Sequence, residues 1–386
     1  MVIDQRAAEN LMNIVHVVEN LAIGGLERLV VSLAAWQRQR GHMVHIICLF
    51  DAGGLAEQAR EAGIAVTAIN KQLGWDLPAL RVLRATLRKY AFEVLHTHNA
   101  LAHYYAAAGA LGLGIGRILN TRHGMGAAPG GRRERLYRLT VRVADAVVFV
   151  SRAGHAHFVH TTYAVPKSKA HVIPNGVEVA AIAERRDEVK QNLLAELGRP
   201  PETLLIGSVG RLSPVKDHAT LLLALQRLRQ TGITADLVLV GDGIARTSLE
   251  AQARELGIAD NVHFLGMRND VHSLLPAFDV FAQTSITEGY SLALVEAATA
   301  ALPIVATCVG GNADIVISGV NGLLVDPKNY GALSHALIHL LGDRSLRLRM
   351  GQAGRKWALT FGSLEAMGVA YESLYQRDPV GSGGGP

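Results

Sequence analysis

"LLIGSVGRLSPVKDH", residues 204–218, reads as a second beginning. A short apolar run passes through a glycine into a turn carrying Arg211 and Lys216, and then into a helix-length stretch. The same pattern stands at the front of the chain, where "NIVHVV" (13–18) leads into "ENLAIGGLERLV" (19–30). Strand runs continue on either side of this restart. Before it they fall at 13–18, 43–50, 64–69, 93–98, 116–121, 146–151 and 170–175; from it onward at 204–210, 235–241, 261–266, 279–284, 303–308 and 322–326. Helix-length segments such as 26–40, 76–90, 100–111 and 131–144 lie between them. Continuous apolar strands alternating with helices predict parallel sheets covered on both faces. The expected fold class is α/β, with two doubly wound units in sequence. Their junction falls near 176–202, where "ERRDEVKQ" is charged and "GRPPE" breaks structure. Residues 329–376 read as two or three helices, and "RDPVGSGGGP" as a disordered tail.

The bulk numbers agree. A chain of 386 residues is too long for one ordinary core, and 49% hydrophobic with 18% charged residues describes a well-packed globular protein. Cys48 and Cys308 lie far apart in strand runs without a metal-type neighbour, so buried reduced thiols are expected. No apolar stretch is long enough to span a bilayer, and the N-terminus lacks a secretory apolar region, which predicts a cytoplasmic location. The net charge of +5 suits an anionic small molecule, an anionic membrane surface or nucleic acid. No zinc-finger, helix-turn-helix or aromatic RNA-stacking signature accompanies it, so no nucleic-acid partner is expected.

In open α/β sheets ligands sit outside the carboxyl ends of strands, beside the point where strand order reverses. The motifs at those ends decide the chemistry. Gly24 and Gly25 stand where the first strand enters its helix, and bare backbone there lets N–H groups approach an anion. A plain strand-to-helix turn explains them equally. Arg211 and Lys216 follow the strand at 204–210, and a pyrophosphate would satisfy both, Arg211 as a forked donor and Lys216 as a point charge. The competing reading pairs them with a structural carboxylate. His123, at the end of "NTRHGM" (120–125), is a candidate for a hydroxyl or leaving-group contact or a satisfied histidine. "TEGYSLALVEA" (287–297) puts Glu288 in a loop, the N–H groups of Gly289, Tyr290, Ser291 and Leu292 at a helix start, and Glu296 inside that helix. Ser291 is a candidate cap, but without a capping box. A ribose diol would satisfy Glu296. No Walker loop and no GxGxxG is present, which removes the main support for a dinucleotide-dependent oxidoreductase.

In the order and spacing of these motifs, together with "VIPNGV" (172–177), "VGDG" (240–243) and "VGGNADIV" (309–316), the chain resembles the retaining, nucleotide-sugar-dependent glycosyltransferases of family four, glycosyl transferases group 1. The resemblance implies a GT-B architecture, two Rossmann-like domains facing a cleft. It implies an acceptor-binding domain over 1–180, a donor-binding domain over 181–360, and a helix at 361–376 returning to the first domain, with a disordered 377–386. Carried onto this chain, it makes His123, Glu288, Arg211 and Lys216 the catalytic set. Gly25, Met267, Glu288, Gly289, Tyr290, Ser291, Leu292 and Glu296 become the donor-binding set, with Glu296 on the ribose and Met267 near the base. Two positions depart from the family pattern, Asp314 in place of a glutamate and Ala301 in place of a glycine.

The activity implied is transfer of a sugar from a nucleoside diphosphate sugar, UDP- in preference to GDP-linked, to a glycan or lipid-linked acceptor. No Asp-x-Asp occurs, which fits a reaction needing no cofactor and no metal. Along "RRERLYRLTVRVA" (132–144), arginines share one helical face and Leu136, Leu139 and Val143 another, which suits either docking on an anionic membrane or a solvated surface. Competing functions on the same fold are a sugar-nucleotide 2-epimerase and a catalytically silent nucleotide-sugar-binding subunit.

Overall fold

The structure, a computed structural model, describes residues 11–124, 132–162, 165–179 and 186–376. The chain divides into two compact units, Met1–Gly176 with Leu364–Pro386, and Val177–Ser363. Residues 377–386, expected to be a disordered tail, lie outside the described residues.

The first unit holds one parallel sheet of β1 (Asn13–Val18), β2 (Met43–Cys48), β3 (Ala65–Ala68), β4 (Val94–His98), β5 (Arg117–Arg122), β6 (Ala146–Phe149) and β7 (Ala170–Val172). Their spatial order is β3-β2-β1-β4-β5-β6-β7. The chain builds outward from β1 to β3, then returns to lay β4 against the free side of β1. Strand order therefore reverses between β1 and β4. The side chains of β1 and β4 are almost entirely buried, as a sheet covered on both faces demands. The helix Leu77–Tyr90 shows how local chemistry sets the boundaries. Asp76 accepts from the Ala79 amide at 2.9 Å, Pro78 fits the first turn, and Ala91 ends the helix in the left-handed region. The last helix, Leu364–Tyr375, packs on Gly25–Gln39, and Trp36 Nε1 donates to Glu365 at 2.6 Å.

The second unit repeats the plan with β8 (Leu204–Val209), β9 (Ala235–Val240), β10 (Val262–Gly266), β11 (Val280–Gln283), β12 (Ile304–Thr307) and β13 (Gly322–Val325), ordered β10-β9-β8-β11-β12-β13. Here the reversal lies between β8 and β11. One face is filled by Leu221, Leu225 and Leu228 of the helix His218–Arg229 and by Leu333, Leu337 and Leu340 of Tyr330–Gly342, all fully buried. Each such leucine contributes roughly 1.5–3 kcal/mol of burial. A side chain at Gly207 of β8 would run into the ring of Phe278, so the approach between β8 and the start of β11 needs glycine there.

Every strand run read from the sequence is a strand. Three local expectations are corrected. Residues 186–196, inside the expected junction, form a helix, Arg186–Glu196, because Leu193 and Leu194 bury against the unit, Arg186 donates to the Phe278 carbonyl at 2.7 Å and Lys190 pairs with Asp279 at 2.6 Å. The stretch 132–144 is an α-helix only over Arg132–Thr140 and tightens into a 3-10 turn at Val141–Val143. Cys48 is buried as expected, but Cys308 lies one residue beyond β12 and is exposed; both are free thiols.

Candidate functional site

The reversal between β8 and β11 assembles the chemistry of the second unit. Beyond β8 the chain passes Arg211, makes a 3-10 turn at Pro214–Lys216, and enters the helix His218–Arg229 through Asp217 in the left-handed region. Beyond β11, Thr284 clamps that turn, its hydroxyl donating to the carbonyls of Lys216 at 3.0 Å and Asp217 at 2.9 Å. Ile286 N donates to Val215 O at 2.8 Å. The clamp brings Lys216 Nζ to 2.5 Å from Glu288 Oε1. The same oxygen accepts from Gln283 Nε2 at 2.9 Å and from Ser285 Oγ at 2.7 Å. Ser291 Oγ donates to Gln283 Oε1 at 2.6 Å, which turns the amide nitrogen toward Glu288. With three donors on Oε1, Oε2 remains without a donor among the described residues, and the side chain keeps 12% of its exposure.

Gly310 supports this loop from behind. Its φ of 51° is left-handed, and a Cβ there would collide with the carbonyl of Glu288. The backbone N–H groups of Gly289, Tyr290 and Ser291 meet no acceptor among the described residues, and the helix Leu292–Thr299 begins directly after them. These amides and the positive end of the helix make a place for an anion. Glu296 sits half-buried one turn into that helix. The Tyr290 hydroxyl is buried without a partner among the described residues, and burial, with Asp314 adding, pushes its pKa far up. The expectations for Ser291 and the two cations change here. The Ser291 side chain makes no cap and instead fixes Gln283. Lys216 is paired with Glu288, whereas Arg211 is exposed with no ion pair among the described residues, so burial of charge gives no reason for an anion at Arg211. Met267 is 68% exposed just past β10.

The first unit carries a different arrangement at its own reversal. Gly25 opens the helix Gly25–Gln39 immediately after an extended Gly24. His16 of β1 and His98 of β4 lie with Nδ1 and Nε2 3.0 Å apart, and His98 Nδ1 is 3.0 Å from His123 Nε2 beyond β5. His16 Nε2 reaches Gln37 Oε1 at 2.8 Å. His96, two residues before His98 on the same strand face, bonds Tyr375 Oη and Thr121 Oγ1, each at 2.8 Å. Burial lowers the pKa of His16 to about 4 and of His123 to about 3, and holds His96 and His98 well below the ordinary value. His16, His96 and His98 are close enough to share one metal ion. Both ring nitrogens of each already have a protein partner, however, so the cluster is complete as a hydrogen-bond network.

Of the residues singled out in the sequence, the structure joins Lys216 to Glu288 and places the amides at 289–291 and Glu296 along the same segment. Gln283, Ser285, Gln37, His16 and His98 were missed. A polar pair two apart at the end of a buried strand, "QTS" (283–285), and alternate histidines in "HTH" (96–98) were the available signals.

Comparisons with known proteins bear on the family and the fold. The family model described as Glycosyltransferase Family 4 matches residues 23–181, and Glycosyl transferases group 1 matches residues 189–357. The chain is 23% identical over 358 residues to the UDP-Gal:alpha-D-GlcNAc-diphosphoundecaprenol alpha-1,3-galactosyltransferase of Escherichia coli, covering 89% of this chain and 91% of that one. It is 36% identical over 137 residues to the putative glycosyltransferase EpsF of Bacillus subtilis (strain 168), a match covering 36% of this chain and 35% of that protein. The structure of Anabaena Alr3699/HepE in complex with UDP superposes with a TM-score of 0.82 at 22% identity, covering 93% of this chain and 98% of that one. Two parallel-sheet units of this kind define a GT-B architecture. The chain belongs to the group 1 glycosyltransferases.

Proposed function

We propose that the protein transfers a sugar, with retention at the anomeric carbon, from a UDP-sugar to a glycan or lipid-linked acceptor of a cell-surface polysaccharide or glycolipid. The observation that carries this reading is the Glu288 carboxylate. Three donors hold Oε1 and leave Oε2 to accept from a hydroxyl, directly before amides suited to a diphosphate. Glu296 then takes the ribose, Arg211 and Lys216 stabilise the departing diphosphate, and Gly25, Met267 and His123 complete the donor contacts. Charge stabilisation from fixed positions is the main catalytic term in such a reaction. In this reading side-chain cations do the work and neither metal nor other cofactor is needed.

UDP is favoured over GDP because the Escherichia coli relative is named for UDP-galactose and the Anabaena structure holds UDP. The undecaprenol-linked acceptor in the former's name supports a lipid-linked acceptor here. No helix among the described residues is long and apolar enough to cross a membrane. In the first unit Arg135 and Arg142 are exposed beside Leu139 and Val143, 65% and 49% exposed, a combination suited to an anionic leaflet. We therefore place the protein in the cytoplasm, peripheral to the inner face of the membrane. Incubation with UDP- and GDP-sugars tests the reading: slow release of UDP is expected, and a chain that binds these sugars but releases nothing with any acceptor is the silent subunit instead.

A further inference from the structure

The histidines of the first unit form a chain whose hydrogen-bond direction is set at one end. Held neutral by burial, each imidazole has one N–H and one lone pair, and the partner of one nitrogen decides the role of the other. Gln37 Oε1 only accepts, so His16 carries its hydrogen on Nε2 and offers a lone pair at Nδ1. His98 must then donate from Nε2 to His16, which leaves its Nδ1 to accept. His123 donates to it from Nε2. The His123 Nδ1 lone pair is left over, buried and without a partner among the described residues.

The amide of Gln37 decides this direction because its two ends lead into two branches. Gln37 Nε2 donates to Tyr375 Oη at 3.2 Å, Tyr375 then donates to His96 Nδ1, and His96 Nε2 donates to Thr121. Rotating the amide would reverse both branches together and leave a buried N–H at His123 Nδ1 instead of a lone pair. Orphaned buried N–H groups are rarer and costlier than under-used acceptors, so the observed orientation is the stable one.

We propose that Gln37 is a positioning residue that, through His16 and His98, holds His123 as the Nε2–H tautomer, so that its Nδ1 accepts a hydrogen bond from a substrate hydroxyl. The inference rests on the proposed contact between His123 and the donor sugar. An oxygen that can only accept, in a carbonyl or carboxylate, meets lone pair against lone pair at this position. Gln37 lies in the last turn of the helix Gly25–Gln39 and is fully buried, so it acts through His16 and not by direct contact.

Ring-nitrogen NMR of the full chain labelled with 15N-histidine reads the tautomers directly, with His123→Gln assigning the signals of that ring. In the wild-type protein His16, His98 and His123 should all appear as Nε2–H forms. Gln37→Glu keeps an acceptor for His16 and should preserve the His123 tautomer. Gln37→Leu removes it, and should give mixed tautomers and a kcat lower by at least roughly ten-fold, with KM for the nucleotide sugar nearly unchanged. An Nδ1–H form of His123 in the wild-type protein overturns the proposal, and that result needs no variant to fold. So does Gln37→Leu with wild-type tautomers, or a metal-bound His16, His96 and His98 on adding Zn2+. The spectra are recorded without substrate. A chain that proved unable to transfer sugars would leave them as predicted, whereas a reversed tautomer in an active enzyme would remove only the relay.

Discussion

Lys216 and Glu288, 72 residues apart in the chain, form a single 2.5 Å ion pair across the point where the second sheet reverses its strand order. Sequence reasoning assigns Lys216 to a diphosphate and Glu288 to the catalytic and donor-binding sets, and the structure makes each the other's support. A lysine on a flexible stem is costly to order, and the carboxylate holds it in place before any ligand arrives. Their side chains are 26% and 12% exposed, so the pair is not a surface ion pair of negligible value. Lys216→Met keeps the stem and removes the charge. It should lower kcat/KM by roughly 10²–10³, the cost of losing one charge-stabilising donor. Steady-state kinetics within a few-fold of wild type would remove Lys216 from the catalytic set.

The backbone behind Glu288 is equally constrained. Gly310→Ala places a methyl where the Glu288 carbonyl lies and forces a left-handed alanine, a strain of about 1–2 kcal/mol before the clash is counted. The variant should melt earlier and bind UDP at least ten-fold more weakly, about 1.4 kcal/mol. A lowered melting temperature with unchanged UDP affinity would show that the loop tolerates displacement.

Ala301 gives a prediction of opposite sign. It follows the helix Leu292–Thr299 with φ 55°, a position where glycine is the unstrained residue. Ala301→Gly should stabilise the protein by about 1 kcal/mol and raise Tm by roughly 2–4 °C. A lower Tm would mean that the methyl contributes packing that outweighs the strain.

The buried histidines make stability depend on pH. His16 and His123 titrate in the unfolded chain near 6.5 but in the fold only at about 4 and about 3. Below 6.5 the unfolded state binds more protons, so stability falls as the solution is acidified, down to those folded values. Each ring contributes roughly 1.4 kcal/mol per pH unit in that window. Melting temperature should be level above pH 7 and drop steeply between pH 6.5 and pH 4. A flat profile across that range would show these rings charged in the fold.

The strands were legible because parallel sheets covered on both faces need short unbroken apolar runs, such as "ADLVLV" and "NIVHVV", alternating with helix-length segments. The helix Arg186–Glu196 was not, since Leu193 and Leu194 are its only fully buried anchors and its charges resemble a linker. At the site, Glu288 and Glu296 stood out as acids beside an apolar helix. Their partners did not, because Lys216 is brought to Glu288 by sheet order rather than by spacing. The relay from Gln37 to His123 is a further step removed. It joins residues separated by 21, 82 and 25 positions, and its direction depends on hydrogen atoms that no residue pattern specifies.

Calorimetric titration of UDP into the wild-type chain, Arg211→Ala and Glu296→Ala tests the central claim most directly. A single site is expected in the wild type, weakened at least ten-fold in each variant, about 1.4 kcal/mol or more. Absence of UDP binding at millimolar nucleotide, or equal affinity in all three proteins, would contradict the assignment of this segment to the donor.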